Sequence, residues 1–172
     1  NGFLIANTAA NGEERAALQA NARWASDLLL LGQVAYNTTK FEAFYLDPDE
    51  LPLLDTETKI GGLNFEARPL DGLMLGASYL SVPTSDSNYF GPTGAVIGGR
   101  EGLDVYDVRF TYQPNPTGAA GPFFGGEIAR QTNRNFGMDA RAGWAEVGYH
   151  LPETTWAPSF SYRVSYFSGD DP

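Results

Sequence analysis

In the stretch Leu103-Asp-Val-Tyr-Asp-Val-Arg-Phe-Thr-Tyr-Gln113, large apolar and polar side chains alternate from Tyr106 onward. Successive side chains of a strand point to opposite faces, so this pattern predicts a two-faced β-strand. The same alternation recurs at 159–167, 61–68 and 39–46. Further strands are predicted over 28–36, 73–82, 123–131 and 138–150, with the end of another over 2–7. The chain is therefore predicted to be all-β and antiparallel, with about nine strands.

The composition excludes several classes of function. The chain has 172 residues, a formal net charge of -10 and no cysteine. An acidic surface repels phosphate backbones, so we expect no nucleic-acid partner. The absence of cysteine excludes disulfides, thiolate metal sites and a cysteine nucleophile. With 20 Gly, 11 Pro and 13% aromatic residues, the composition is typical of an all-β protein with many turns.

The predicted connections alternate in length. Short links are expected at 37–38 and 69–72, and longer polar links at 47–56 and 83–102. Residues 114–122 and 151–158 are expected to lie on the same side as the short links 37–38 and 69–72, although they are not tight turns. The Gly-rich segment 91–102 is expected to be a flexible outer loop. This asymmetry is typical of an outer-membrane β-barrel.

Residues 13–26 fit either a strand or a helix. Apolar residues alternate there, yet Glu13-Glu-Arg-Ala-Ala-Leu-Gln19 is also a strong helix-forming sequence. We interpret the segment as a short helix in an outer loop, because an additional strand would invert the order of short and long links.

Two features favour a membrane barrel over a soluble β-sandwich with an apolar inside. The polar sides of the strands are rich in small or uncharged residues, and their charges are predicted to pair, Asp107 with Arg109 and Glu66 with Arg68. Only 19% of the residues are charged. Tyrosines also stand near the strand ends, as the aromatic girdles of a barrel require: Tyr36, Tyr45, Tyr79, Tyr106, Tyr112, Tyr149 and Tyr166.

The C-terminal half resembles the alginate export family of outer-membrane porins. The resemblance lies in the order of five pieces: Gly102-Leu-Asp-Val-Tyr106, Gly126-Glu-Ile-Ala-Arg-Gln131, Ala145-Glu-Val-Gly-Tyr149, Ser161-Tyr-Arg163 and Ser168-Gly-Asp-Asp-Pro172. Residues 41–82 resemble the preceding strands of that family more loosely. About two-thirds of the chain is covered, and the shared motifs are barrel-strand patterns rather than catalytic signatures.

The resemblance implies a single-chain barrel of about eighteen strands, and some members conduct an anionic polysaccharide through an arginine-rich lumen. This chain carries about half of those strands. We therefore expect residues 1–172 to form part of one outer-membrane barrel, with a strand end and an outer loop in 1–26 and successive hairpins in 27–172. The expected location is the bacterial outer membrane, and the expected partners are membrane lipid and lipopolysaccharide.

A water-filled lumen would be lined by the charged residues of the polar sides. These predicted solute contacts are Lys40, Glu42, Glu66, Arg68, Asp107, Arg109, Glu127, Glu146 and Arg163. Their mixed signs do not make a cationic funnel, which argues against alginate itself as the solute. The alternative interpretation is that they form salt-bridge ladders within the barrel wall.

The expected function is passive passage of hydrophilic solutes, saccharides or polysaccharide, with no enzymatic activity and no cofactor. The alternatives are a soluble all-β binding module and a structural barrel subunit of a larger membrane assembly. Asp47, Asp49 and Asp55 could gather oxygen ligands for Ca²⁺, but a solvated acidic loop is the favoured explanation. His150, the single histidine, has no serine or aspartate partner at the spacing of a hydrolase triad.

Overall fold

The computed structural model describes residues 28–48, 56–91, 93–115 and 119–169. Within these ranges the chain forms ten β-strands and no helix. The strands are β1 (Leu28–Tyr36), β2 (Thr39–Asp47), β3 (Lys59–Leu70), β4 (Leu73–Thr84), β5 (Asn88–Phe90), β6 (Val96–Gly99), β7 (Leu103–Tyr112), β8 (Gly121–Asn133), β9 (Met138–His150) and β10 (Ser159–Phe167).

Eight of these strands form one antiparallel sheet in the order β1-β2-β3-β4-β7-β8-β9-β10, and β5 pairs with β6 in a separate hairpin. All eight strands of the sheet are confirmed at the predicted positions, three of them with the predicted bounds (28–36, 138–150 and 159–167). The other five differ from their predicted bounds by one to a few residues. The predicted strand end at 2–7 and the predicted helix at 13–26 lie outside the described residues.

The two ends of the sheet differ in their connections. At one end, which we call the turn end, the links are 37–38, 71–72, 113–120 and 151–158. At the other, which we call the loop end, they are 48–58, 85–102 and 134–137. The predicted alternation of short and long links holds from β1 to β7. It is wrong from β7 to β10, where the four-residue turn at 134–137 lies between two longer links.

Successive side chains of each strand point to opposite sides, so the sheet has two faces of different composition. Cross-strand partners lie on the same face, and the register runs without interruption through most of the ladder. The charged face carries all nine predicted lumen residues, in rows such as Lys40, Glu66 and Arg109. The aromatic face carries Tyr36, Tyr45, Tyr79, Tyr106, Tyr112, Tyr149 and Tyr166. Tyr162 of β10 lies on the same face, as the partner of Val147, so eight of the nine tyrosines share one face.

The aromatic face is not covered by any other part of the chain that the structure describes. Val108 retains 64% of its surface and Ile128 72%, although both lie near the middle of their strands. Phe65, Leu75 and Phe110 are exposed as well. The rows of aromatic and branched side chains thus do not meet in a dry centre. No helix among the described residues is long and apolar enough to cross a membrane.

The buried apolar cluster lies on the charged face, at the loop end. Val82, Leu103 and Met138 form its centre, with Val82 only 2% exposed. The β5–β6 hairpin folds over this cluster. The ring of Tyr89 packs against Phe136, 5.9 Å between centroids, and Asn133 donates to the carbonyls of Gly99 and Glu101 at 3.0 Å.

A strand within 91–102, which was predicted to be a flexible outer loop, was not foreseen. The segment contains β6, and the hairpin is attached by side-chain contacts to the β8–β9 turn. The sequence Val96-Ile-Gly-Gly99 is too short and too rich in glycine to show a period of two. Its packing against Phe136 is a tertiary contact that local pattern does not reveal.

Replacement of Phe136 by alanine is expected to loosen the hairpin without unfolding the sheet. The ring of Phe136 fills the space beside Gly98, so its loss removes the main apolar attachment of β6. Arg100 follows β6 directly and offers a trypsin site, so cleavage after Arg100 should be several-fold faster in Phe136→Ala. Phe160→Ala, on the aromatic face, is the matched control; equal cleavage rates in the two variants would contradict the packing described here.

Candidate functional site

The middle of the charged face is a network of ion pairs and hydrogen bonds centred on Arg109. Its Nη1 donates to Ser78 Oγ at 2.7 Å and to Asp107 Oδ1 at 2.6 Å. Its Nη2 donates to Asn64 Oδ1 at 2.7 Å and contacts Glu66 Oε1 at 3.3 Å. The guanidinium lies across β4 because its partner there is Gly76, where a Cβ would come within 2.8 Å of it. Both terminal nitrogens of Arg109 are thus engaged by the protein itself.

The network continues onto β2 through Lys40 and Glu42. Lys40 Nζ lies 3.1 Å from Glu42 and 3.6 Å from Glu66, and Asn64 donates to Glu42 at 2.7 Å. The predicted pair Asp107–Arg109 is confirmed. The predicted pair Glu66–Arg68 is wrong, because the ion-pair partners of Glu66 are Lys40 and Arg109 on neighbouring strands.

A second cluster lies towards the turn end, on β8, β9 and β10. Arg163 binds Glu146 through Nη2 at 2.6 Å, and its guanidinium lies 4.4 Å from the ring centroid of Trp144. Trp144 in turn donates from Nε1 to Glu127 at 3.0 Å. The indole lies over Gly125, where a Cβ would come within 3.1 Å of the ring. An aromatic plane, a guanidinium and two carboxylates are thus fixed side by side.

This cluster borders a groove of about 890 Å³ on the charged face, which we call the turn-end groove. Three of the predicted solute contacts line it: Arg68, Glu146 and Arg163. Its aromatic lining includes Trp144 and Phe123, and Phe123 stacks on His150 at 4.4 Å between centroids. Flat apolar planes beside charged donors and acceptors form a surface that suits a polyhydroxylated solute, whose ring faces are apolar and whose edges form hydrogen bonds.

Arg68 differs from the other predicted cations. Lys40, Arg109 and Arg163 each have a carboxylate partner, whereas no ion pair of Arg68 occurs within the described ranges. Arg68 is exposed and lies on the edge of the turn-end groove. Among the charged residues of this groove it has the guanidinium most available to a solute.

The sequence did not identify Asn64, Ser78 and Trp144 as parts of these networks. Each is a cross-strand neighbour of a predicted charge: Asn64 pairs with Glu42, Ser78 with Asp107, and Trp144 with Glu127. The alternation along each strand predicts that these three side chains share a face with the charged residues. Their hydrogen-bond partners, however, depend on the register between strands. Only the paired ladder brings them together.

The calcium and hydrolase interpretations receive no support from the residues that the structure describes. Asp49 and Asp55 lie outside them, and no group of three possible metal ligands occurs inside them. His150 stacks on Phe123 and forms no hydrogen bond with a serine or an aspartate in the described ranges. Comparison of the chain with family models, curated proteins and solved structures finds no match.

Replacement of Arg109 by glutamine is expected to lower the free energy of unfolding by about 2 kcal/mol. The carboxylates of Glu66 and Asp107 would lose their shared cation while remaining half-buried. Arg68→Gln is the matched control on the same face, and its effect should stay within about 0.5 kcal/mol. Urea titration followed by tryptophan fluorescence measures both values. An equal, small effect of the two substitutions would show that the Arg109 network contributes nothing to stability.

Proposed function

We propose that the protein forms part of the wall of an outer-membrane channel for passive passage of hydrophilic solutes, with saccharides as the solute class. The observation that carries the proposal is the uncovered aromatic face opposite a charged face. In water, an exposed apolar face of this extent would drive association. In a bilayer, the same face contacts hydrocarbon, and the charged face lines an aqueous interior.

The lengths of the strands support this placement. The strands of the main sheet contain between nine (β1) and thirteen (β8) residues. A tilted strand needs about 9–11 residues to cross a bilayer. The tyrosines of the aromatic face fall near both strand ends, with Tyr36, Tyr112 and Tyr149 at the turn end and Tyr45, Tyr79 and Tyr166 towards the loop end. Aromatic rings at these two levels match the interfacial girdles of membrane barrels.

The charged face supports a channel wall of more than eight strands. An eight-stranded barrel has an interior just wide enough for side chains, whereas about 16–18 strands enclose an aqueous channel. The charged face also carries the β5–β6 hairpin and the Trp144 and Phe123 rings, which need room. We therefore assign the eight strands to one sector of a larger barrel, in which further strands pair with β1 and β10, since lipid does not tolerate unpaired strand edges.

The loop end is assigned to the outside of the cell, because it carries the longer links 48–58 and 85–102. The hairpin then covers the charged face near the outer mouth and narrows the path there. Solutes would pass the Arg109 network and reach the turn-end groove. The aromatic lining of this groove and the guanidinium of Arg68 would offer apolar contacts and hydrogen bonds in place of part of the hydration of a sugar.

The proposal that the aromatic face contacts hydrocarbon is tested by placing an arginine on each face of one strand in turn. Val108→Arg points into hydrocarbon in the proposed arrangement and should cost about 2–4 kcal/mol of stability in lipid. Thr111→Arg, on the charged face of the same strand, should cost far less. The fraction of protein that inserts into vesicles, measured by heat-modifiable migration in gels, gives both values. A soluble module would show the reverse ranking or no difference, and would stay folded and monomeric without detergent.

Channel activity needs a separate measurement. The protein reconstituted into planar bilayers is expected to give stepwise conductance, and vesicles that contain it should swell faster in monosaccharide than in trisaccharide solution. Vesicles without protein are the control. Insertion without conductance would reject the channel and favour a structural subunit of a membrane assembly.

A further inference from the structure

Two arginines lie directly opposite each other on the aromatic face near the loop end. Arg130 of β8 and Arg141 of β9 are cross-strand partners in the register, and their side chains are 53% and 63% exposed. Like charges at directly opposite positions repel each other and destabilise the pairing. Such a pair on a mainly aromatic face needs anionic groups close by.

The protein supplies only part of that counterpart. Asp139 accepts two hydrogen bonds from Arg130, at 2.9 and 2.8 Å, and thus neutralises one guanidinium. Arg141 reaches the same carboxylate through one contact of 3.5 Å. In the described part of the chain, no second carboxylate pairs with Arg141. One positive charge therefore remains in excess at this point of a chain whose net charge is -10.

Arg141 also lies on the rim of an apolar groove of about 900 Å³ on the same face. Small residues line it where β8 and β9 meet, because Gly126 is the partner of Ala145 and Gly143 is the partner of Ile128. Larger apolar side chains border it, Val164 among them. Arg109 and Glu127 also border the groove, but by register their side chains point to the charged face. Arg141 is thus the one charged side chain directed to the groove side among the described residues that line it.

An excess guanidinium at the rim of an apolar groove suits an amphiphile with an anionic head and an acyl tail. The planar fork of arginine binds phosphate oxygens in pairs, which a lysine cannot do. We propose that Arg130 and Arg141 bind a phosphate of lipopolysaccharide, with one acyl chain of its lipid A in the groove. This inference rests on the proposed membrane placement, which assigns the loop end, and hence these arginines, to the outer leaflet.

The test measures binding of diphosphoryl lipid A to the protein in detergent micelles, by native mass spectrometry. The double variant Arg130→Gln/Arg141→Gln is expected to weaken binding at least tenfold. The double lysine variant should recover only part of the affinity, since it keeps the charge and loses the fork. Ala145→Phe, which fills the groove and leaves both arginines in place, should also weaken binding several-fold. Arg100→Gln, in the hairpin on the charged face, is the control and should bind as the wild type does.

Unchanged affinity in the double glutamine variant would overturn the proposal. So would equal affinity of the wild type for phosphatidylglycerol, since the groove and the arginine pair would then not select lipid A. Heat-modifiable migration verifies that each variant is folded. Insertion and conductance of the wild type are measured in parallel, in bilayers free of lipopolysaccharide. If the wild type neither inserts nor conducts, the proposed function is rejected. If it inserts and conducts but does not bind lipid A, this inference alone is rejected.

Discussion

The strict period of two along a continuous antiparallel ladder is the constraint on which the rest of the structure depends. Because cross-strand partners share a face, a register that shifts only at the ends of β3 places eight tyrosines on one side and nine charges on the other. A slip of one residue in any strand would move its charges into the aromatic face. The register irregularities of the main sheet, between Lys59 and Gly61 and between Ala67 and Leu70, lie at the ends of β3, where few of these side chains are affected.

Besides the backbone ladder, two groups of side chains stabilise the sheet: an apolar cluster at the loop end and a polar network at the middle of the strands. At the loop end, Val82, Leu103 and Met138 bury apolar surface beneath the hairpin. In the middle, no such cluster occurs among the described residues, and the Arg109 network joins β3, β4 and β7 instead. These side chains are partly accessible to water, so their charges are not stranded in a low-dielectric interior. A sheet stabilised in this way needs no apolar layer over the middle of its charged face.

The sequence was sufficient to locate the eight long strands and their faces, because alternation over nine or more residues is a local property. It was sufficient for Asp107–Arg109, which are two residues apart on one strand and one face. It failed for Glu66, whose neighbours Lys40 and Arg109 are set by the pairing of strands rather than by the chain. It failed for β5 and β6 because a short strand held by Phe136 and Asn133 leaves no period to detect. Cross-strand neighbours and tertiary attachments were thus the information that only the folded sheet contained.

The distribution of unpaired charge follows from the same geometry. Arg109 lies in the middle of its strand and finds acceptors on β3 and β4, so its guanidinium joins neighbouring strands of the sheet. Arg68 and Arg141 lie near opposite ends of the sheet and on opposite faces, and each has a guanidinium that the described carboxylates do not fully engage. An arginine in excess at the edge of a neutralised surface attracts anionic or hydrogen-bonding groups from outside the protein. In the proposed placement, the two surroundings differ: an aqueous interior beside Arg68, and a lipid headgroup layer beside Arg141. The same side chain would therefore select a hydrated solute in one place and a lipid phosphate in the other.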